Sequence, residues 1–331
     1  MRPDRGHTSV RAHVDGTSMI DPNLQDVAKQ LLEASSKQLS PPSLADREVA
    51  LRWVREARKQ FDSQWTAVPP AEGVSVRPLH GTPVPGEAYS CADGSLARKI
   101  LLYHHGGGQV FGSASSHRHL VTRLAKAANV TAWSMDYPLA PESPHPAGME
   151  AGVATYRHLL DSGVTAQDIV VAGDSGGATL TMAMILALKA RGEPLPAGIF
   201  LISPFLDFSM SHESHVHLRD KEPWVNERIL RFCAEAVAGG TDYREPLLSP
   251  LNGDLGGLPP VLIHVGTNEV LLGDALQFAS KAAMSGSEIT LHVYAAMFHA
   301  WHLFHAVLTH AAPTAIREAG AWIADRLTRP A

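Results

Sequence analysis

Apolar positions in the first sixty-five residues recur with helical spacing. Leu24, Val27, Ala28, Leu31 and Leu32 follow the i, i+3, i+4, i+7, i+8 pattern that gives a helix one apolar face. Asp21-Pro22 precedes them, an N-cap acceptor followed by proline at the first helical position. Ser40-Pro41-Pro42 interrupts the run, and Ala50, Trp53, Val54, Ala57 and Phe61 mark a second stripe. Residues 21–65 are therefore expected to form two amphipathic helices ahead of any strand, an N-terminal cap. Residues 1–20 are expected to be a mobile tail.

From about residue 73 the texture changes to alternating strands and helices. Short apolar runs at Val74–His80, Ala88–Cys91, Arg98–Tyr103, Val130–Asp136, Ile169–Ala172, Ala197–Ile202, Val261–Val265 and Ile289–Tyr294 read as strands. Helical stretches over His117–Ala128, Gly148–Ser162, Gly176–Arg191, Gly273–Ser285 and about Thr314–Leu327 separate the later ones or follow them. This alternation predicts an α/β unit over 66–331, a mostly parallel sheet with helices on both faces and an antiparallel start. A polar, histidine-rich helical segment over about 207–245 interrupts the alternation. Insertions at the carboxyl ends of strands in such sheets sit over the ligand crevice.

Composition narrows the function. Lys+Arg total 28 against 33 Asp+Glu, a net charge of −5 that excludes a basic nucleic-acid footprint. Hydrophobic residues reach 45%, enough for a sizeable core, so a disordered, highly charged chain is excluded. Two cysteines, Cys91 and Cys233, cannot form a disulfide scaffold or a four-cysteine zinc site. The longest apolar runs fall far short of the ~18 residues of a membrane span. The first 20 residues contain no apolar signal-peptide stretch, so a cytoplasmic location is expected.

Two glycine motifs carry the chemistry. Gly173-Asp174-Ser175-Gly176-Gly177 follows the apolar strand Asp168–Ala172 and opens a helical stretch. This is G-x-S-x-G in strand–turn–helix context, where a tight, strained turn lifts a nucleophilic serine above the sheet. The five-residue pattern alone could be a structural turn; its context makes Ser175 the candidate nucleophile. His104-His105-Gly106-Gly107-Gly108 follows the strand ending at Tyr103. Consecutive glycines expose backbone N–H groups that can hold the oxyanion of a tetrahedral intermediate. No Gly-Lys-Ser/Thr follows, which disfavours a phosphate loop.

A nucleophilic serine needs a base, and the base an orienting carboxylate, in the chain order Ser, acid, His. His299 lies in the loop after the last strand and is the candidate base. His212, His215 and His217 read as cap residues, His264 as a satisfied core histidine, and His302, His305 and His310 as helix-surface residues. Glu269, in the loop after Val261–Val265, is the candidate acid. Asp274 is its rival, although its place at a helix start suggests capping. Phe111, Phe205, Phe208, Trp224 and Trp301 could line a substrate pocket or fill the core.

These residues together resemble the hormone-sensitive-lipase-like family of α/β hydrolases, especially its bacterial esterases, over roughly 70–325. His105–Gly108 matches its oxyanion signature, Asp136-Tyr137-Pro138-Leu139-Ala140-Pro141-Glu142 its Asp-Tyr-Arg-Leu-Ala-Pro-Glu block, and Gly173–Gly177 its elbow. Leu258-Pro259-Pro260 and the Met-x-His of 297–299 also fit. The resemblance implies an α/β-hydrolase fold with an eight-stranded sheet, a helical cap from the N-terminus and the insertion, and neither cofactor nor metal. It implies oxyanion N–H groups from Gly107, Gly108 and Gly176, with Gly106 a further candidate, and loop-supporting roles for His105, Asp174 and Glu142.

Four positions depart from the pattern. Gln109 stands where an aromatic residue is common, Pro138 where arginine is usual, Gly176 where alanine is usual, and Glu269 where many members have aspartate. Pro138 puts a supporting ion pair in doubt. Gly176 is expected to loosen the elbow slightly. The Glu-Val-Leu-Leu stretch at 269–272 is closer to a subgroup that includes lactone and acetyl-peptide hydrolases. The implied function is cleavage of short- to medium-chain carboxylic esters. A lactonase or an amide/carbamate hydrolase with the same triad is the alternative. A non-catalytic receptor on this fold would lack the base. The expected partner is a small ester, with a homodimer through an exposed edge strand or helix as a further expectation.

Overall fold

The computed structural model describes residues 9–13, 21–37, 40–91 and 96–329. Its centre is one sheet built from β1 (Ser9–His13), β2 (Val74–Pro78), β3 (Gly86–Cys91), β4 (Leu96–His104), β5 (Val130–Met135), β6 (Ile169–Asp174), β7 (Gly198–Ile202), β8 (Val261–Gly266) and β9 (Ile289–Tyr294). The spatial order is β1-β9-β8-β7-β6-β4-β5-β3-β2. Pairs β2–β3 and β3–β5 are antiparallel, and every other pair is parallel. The eight expected strands are β2–β9.

The ninth strand changes the reading of the N-terminus. Ser9–His13, placed in the expected mobile tail, pairs in parallel with β9 from Thr290 to Tyr294. The outer edge of β9 would otherwise present a row of unpaired backbone groups, and an extended segment satisfies them. The remainder of 1–20 lies outside the described residues. Helix α1 spans Leu24–Lys37. Just ahead of it the buried Asp21 accepts the Asn23 N–H on Oδ1 at 3.2 Å, the contact expected of a cap, and its Oδ2 accepts the backbone N–H of His310 at 2.8 Å, where α9 (Ala311–Thr328) begins.

The central strands are apolar on both faces because helices cover both. On one side Leu102, Val171, Leu201 and Ile263 pack under α4 (Ala147–Asp161), α5 (Gly176–Ala190) and α8 (Leu272–Met284). On the other, Leu101, Val170, Phe200 and Leu262 meet α3 (Ala114–Ala128) and α9. Helix α5 is buried from Gly176 through Leu188, which explains its apolar circumference. Among the described residues no helix is long and apolar enough to cross a membrane.

A third apolar cluster lies over the carboxyl ends of the strands. It joins α2 (Arg47–Thr66) to α7 (Glu227–Ala238), the longer helix of the 207–245 insertion, whose short helix is α6 (Ser214–His217). Trp53 of α2 meets Phe232 of α7 edge-on at 5.2 Å and Phe111 at 6.0 Å. Asn226 caps α7 by accepting the Ile229 N–H, and Gly239 ends the helix in the left-handed region.

Candidate active site

Ser175 links the end of β6 to the start of α5 at φ 53° and ψ −123°, a conformation costly for a non-glycine residue. The surroundings hold it there. Its N–H donates to the Ile202 carbonyl at 2.9 Å and its carbonyl accepts from Ala178 at 3.0 Å. Crowding explains the motif's glycines. A Cβ on Gly173 would lie 2.5 Å from the Gly177 carbonyl oxygen, and one on Gly177 would lie 2.2 Å from that of His104.

The glycine loop after β4 abuts the start of α5. A Cβ on Gly176 would sit 2.6 Å from the Gly108 Cα, so glycine here permits the close approach of the two loops. Gly176 is the first residue of α5, and its N–H has no acceptor within the helix. Gly107 and Gly108 adopt φ 98° and 63°. Gly106 differs: its N–H donates to Asp174 Oδ1 at 2.8 Å. That bond takes Gly106 out of the oxyanion candidates and makes it an anchor.

Asp174 and His105 both brace this loop. The Asp174 carboxylate also accepts from the Tyr103 hydroxyl at 2.8 Å, with His117 Nε2 at 3.5 Å. Burial works to raise this carboxyl, but His117 and the hydrogen bonds outweigh it and hold it below the usual range. The His105 ring stacks on Tyr137 at 4.3 Å, and its Nδ1–H donates to the Gly106 carbonyl at 2.8 Å. Burial pushes the imidazole down to about 3, so it is neutral.

His299 and Glu269 meet in the loops after β9 and β8, at the same edge of the sheet as Ser175. His299 Nδ1 lies 3.4 Å from Glu269 Oε2. Glu269 Oε1 accepts from the Gly266 N–H at 2.6 Å and the Ser203 hydroxyl at 2.8 Å. Ser203 Oγ in turn accepts the Ala300 N–H at 2.9 Å, so one hydroxyl ties the acid to the histidine loop. Burial lowers the His299 imidazole, opposed by Glu222 and Asp174, leaving it the neutral form a general base needs. Burial raises the Glu269 carboxyl, opposed by its two hydrogen bonds.

A profile of the alpha/beta hydrolase fold matches residues 101–303. An acetyl-hydrolase of Streptomyces hygroscopicus is 43% identical over 225 residues, 68% of this chain and 75% of its own. An esterase of Acinetobacter venetianus is 34% identical over 75% of this chain and 82% of its own. A solved hormone-sensitive lipase from a metagenome library superposes with a TM-score of 0.86 at 35% identity, over 92% of this chain and 98% of that one. The chain belongs to the hormone-sensitive-lipase-like family of α/β hydrolases.

This hydrolase is of the carboxylesterase class. Its second candidate acid sits elsewhere. Asp274 Oδ2 accepts the backbone N–H groups of Leu206 and Asp207 at 2.8 and 2.9 Å, and Oδ1 faces His212 and His215. Asp274 therefore braces the loop after β7 and does not cap its own helix. Glu142 pairs with Arg58 of α2 at 2.8 Å, while Arg58 also donates to the Val110 and Ala140 carbonyls. Arg58 supplies the ion pair that Pro138 put in doubt.

The aromatic candidates divide. Phe205 stacks on Phe208 at 4.6 Å, and its N–H lies 3.3 Å from the Ser175 carbonyl. Phe111 joins the same apolar cluster under α2 and α7, and Trp224 stands 5.8 Å from the His299 ring. Trp301 is fully buried against Tyr294 in the sheet core. His302 and His305, expected on a helix surface, are buried as well; they bond to His264 at 3.1 Å and His119 at 2.8 Å. Ser203, Arg58 and Glu222 escaped the sequence reading because no local motif marks them.

Proposed function

We propose that this hydrolase cleaves short-chain carboxylic esters through an acyl-enzyme on Ser175. His299 Nε2 takes the Ser175 proton as Oγ attacks the ester carbonyl. The N–H groups of Gly107, Gly108 and Gly176 receive the developing oxyanion. Glu269 orients His299 and stabilises the imidazolium, which then protonates the leaving alcohol. A water molecule repeats the cycle on the acyl group and frees Ser175. The reading rests above all on the strained Ser175 backbone at the turn from β6 to α5, the conformation in which a G-x-S-x-G turn presents a nucleophile.

The relatives favour a short acyl group. Cys233 of the insertion closes on the glycine loop, its Sγ 2.5 Å from where a Cβ on Gly108 would lie. A 43% identical relative is named an acetyl-hydrolase, and a 32% identical esterase structure was soaked with p-nitrophenyl butyrate. The test is a p-nitrophenyl ester series from acetate to laurate on the parent and Ser175→Ala. Turnover is expected to peak at acetate or butyrate and to vanish in the folded variant. Full activity of Ser175→Ala would overturn the nucleophile, and a peak at laurate the chain length.

A further inference from the structure

Glu222 is a carboxylate of the 207–245 insertion, 4% exposed, that no step above uses. Its two oxygens face different structures. Oε1 accepts the N–H groups of Trp224 at 3.0 Å and Val225 at 3.3 Å, folding its own segment into a turn. Oε2 accepts the backbone N–H of His299 at 3.0 Å. The turn holds the Trp224 ring 5.8 Å from the His299 ring and edge-on to Trp65 and Phe304, at 5.8 and 5.1 Å.

The placement is expensive unless something compensates it. A buried carboxylate normally has a cationic partner. Among the described residues Glu222 accepts three backbone N–H groups, and the titratable groups that act on it most are His299, which favours its charge, and Glu269, which opposes it. A cation appears at His299 only when that ring takes the Ser175 proton. The carboxylate is therefore best compensated in the transition state, which is where added stabilisation raises rate.

We infer that Glu222 is a positioning residue for catalysis, fastening the insertion to the backbone of His299 and favouring the imidazolium that forms there. This rests on the triad reading of Ser175, His299 and Glu269. Glu222 touches neither substrate nor Ser175; it acts through His299. Burial raises its carboxyl to about 7, so its charge is present in the neutral to alkaline range and is lost on acidification.

The test compares the parent with Glu222→Gln on p-nitrophenyl acetate across pH 5–9, with Ser175→Ala beside them. Glutamine keeps the size and removes the charge. We expect kcat at pH 8 to fall about tenfold, the scale of weakening one contact to a charge formed in the transition state, with KM within about twofold. Without the negative charge His299 loses its proton more readily, so the acid limb of kcat/KM moves to lower pH. A limb that stays in place overturns the inference, whatever happens to kcat. Inactive Ser175→Ala beside such an unmoved limb leaves the triad reading intact; active Ser175→Ala overturns both. A second measurement needs no stable Glu222→Gln. The His299 ring resonances of the parent, assigned by their loss in His299→Asn, should titrate in two coupled steps. A single step overturns the inference.

Discussion

Gly106 gives its backbone N–H to Asp174 Oδ1 at 2.8 Å, so the residue before the candidate nucleophile holds the loop proposed to receive the oxyanion. A Cβ on Gly106 would fall 2.0 Å from Asp174 Oδ2, which leaves no room for a larger residue. Asp174→Asn keeps the shape, removes the charge and weakens the bonds to Gly106 and Tyr103. We expect kcat on p-nitrophenyl acetate to fall roughly 10²-fold, the scale of a misplaced donor loop. Unchanged kcat would separate the loop's position from Asp174.

Glu269 and Asp274 lie five positions apart and differ in what they hold. Glu269→Ala removes the partner of His299 Nδ1. Its kcat is expected to drop by roughly three to four orders of magnitude. Asp274→Ala strips the acceptor from two buried N–H groups, those of Leu206 and Asp207. Its cost is expected mainly in stability, on the order of 2–4 kcal/mol by denaturant unfolding. Equal losses of kcat in the two variants would contradict this division.

Arg58 outranks its own ion-pair partner. The Glu142 side chain is 41% exposed, so solvent screens the pair. Arg58 also donates to the carbonyls of Val110 and Ala140, which have no charge to screen. Arg58→Ala is expected to cost about 1–3 kcal/mol, and Glu142→Ala under about 1 kcal/mol. Thermal melts of both variants check the ranking; a larger loss for Glu142→Ala would reverse it.

Acid should unfold this protein through its histidines. Burial pushes His104, His105 and His302 from 6.5 down to about 3, and His305 to about 4. Each folded-state value lies below the unfolded one, so the unfolded chain binds more protons. The stabilisation is complete above pH 6.5 and is lost as pH falls towards the folded values. Each group contributes a slope of about 1.4 kcal/mol per pH unit within that window. Melting temperature is expected to fall steeply between pH 6.5 and 4. A flat profile there would show these rings to be accessible to protons in the folded state.

The sequence by itself determined what is local. The strands β2–β9 are visible as short apolar runs and the amphipathic helices as period 3.6 patterns, because burial between two helical layers makes a central strand apolar throughout and burial against one layer gives a helix a single apolar face. Ser175 and the glycines around it are visible because a strained turn and close backbone contacts exclude side chains at fixed spacings. The loop positions of His299 and Glu269 follow from their places just past a strand.

Only the tertiary structure decided the rest. Glu222 lies 77 positions from His299, Ser203 lies 66 from Glu269, and Arg58 lies 84 from Glu142. A hydrogen bond across such a separation needs no particular neighbours in sequence, so no motif announces it. The same reason hid the burial of His302 and His305, whose partners His264 and His119 come from a distant strand and helix. The edge strand Ser9–His13 exists because β9 offers it a backbone to pair with, and that offer is made only once the sheet has formed.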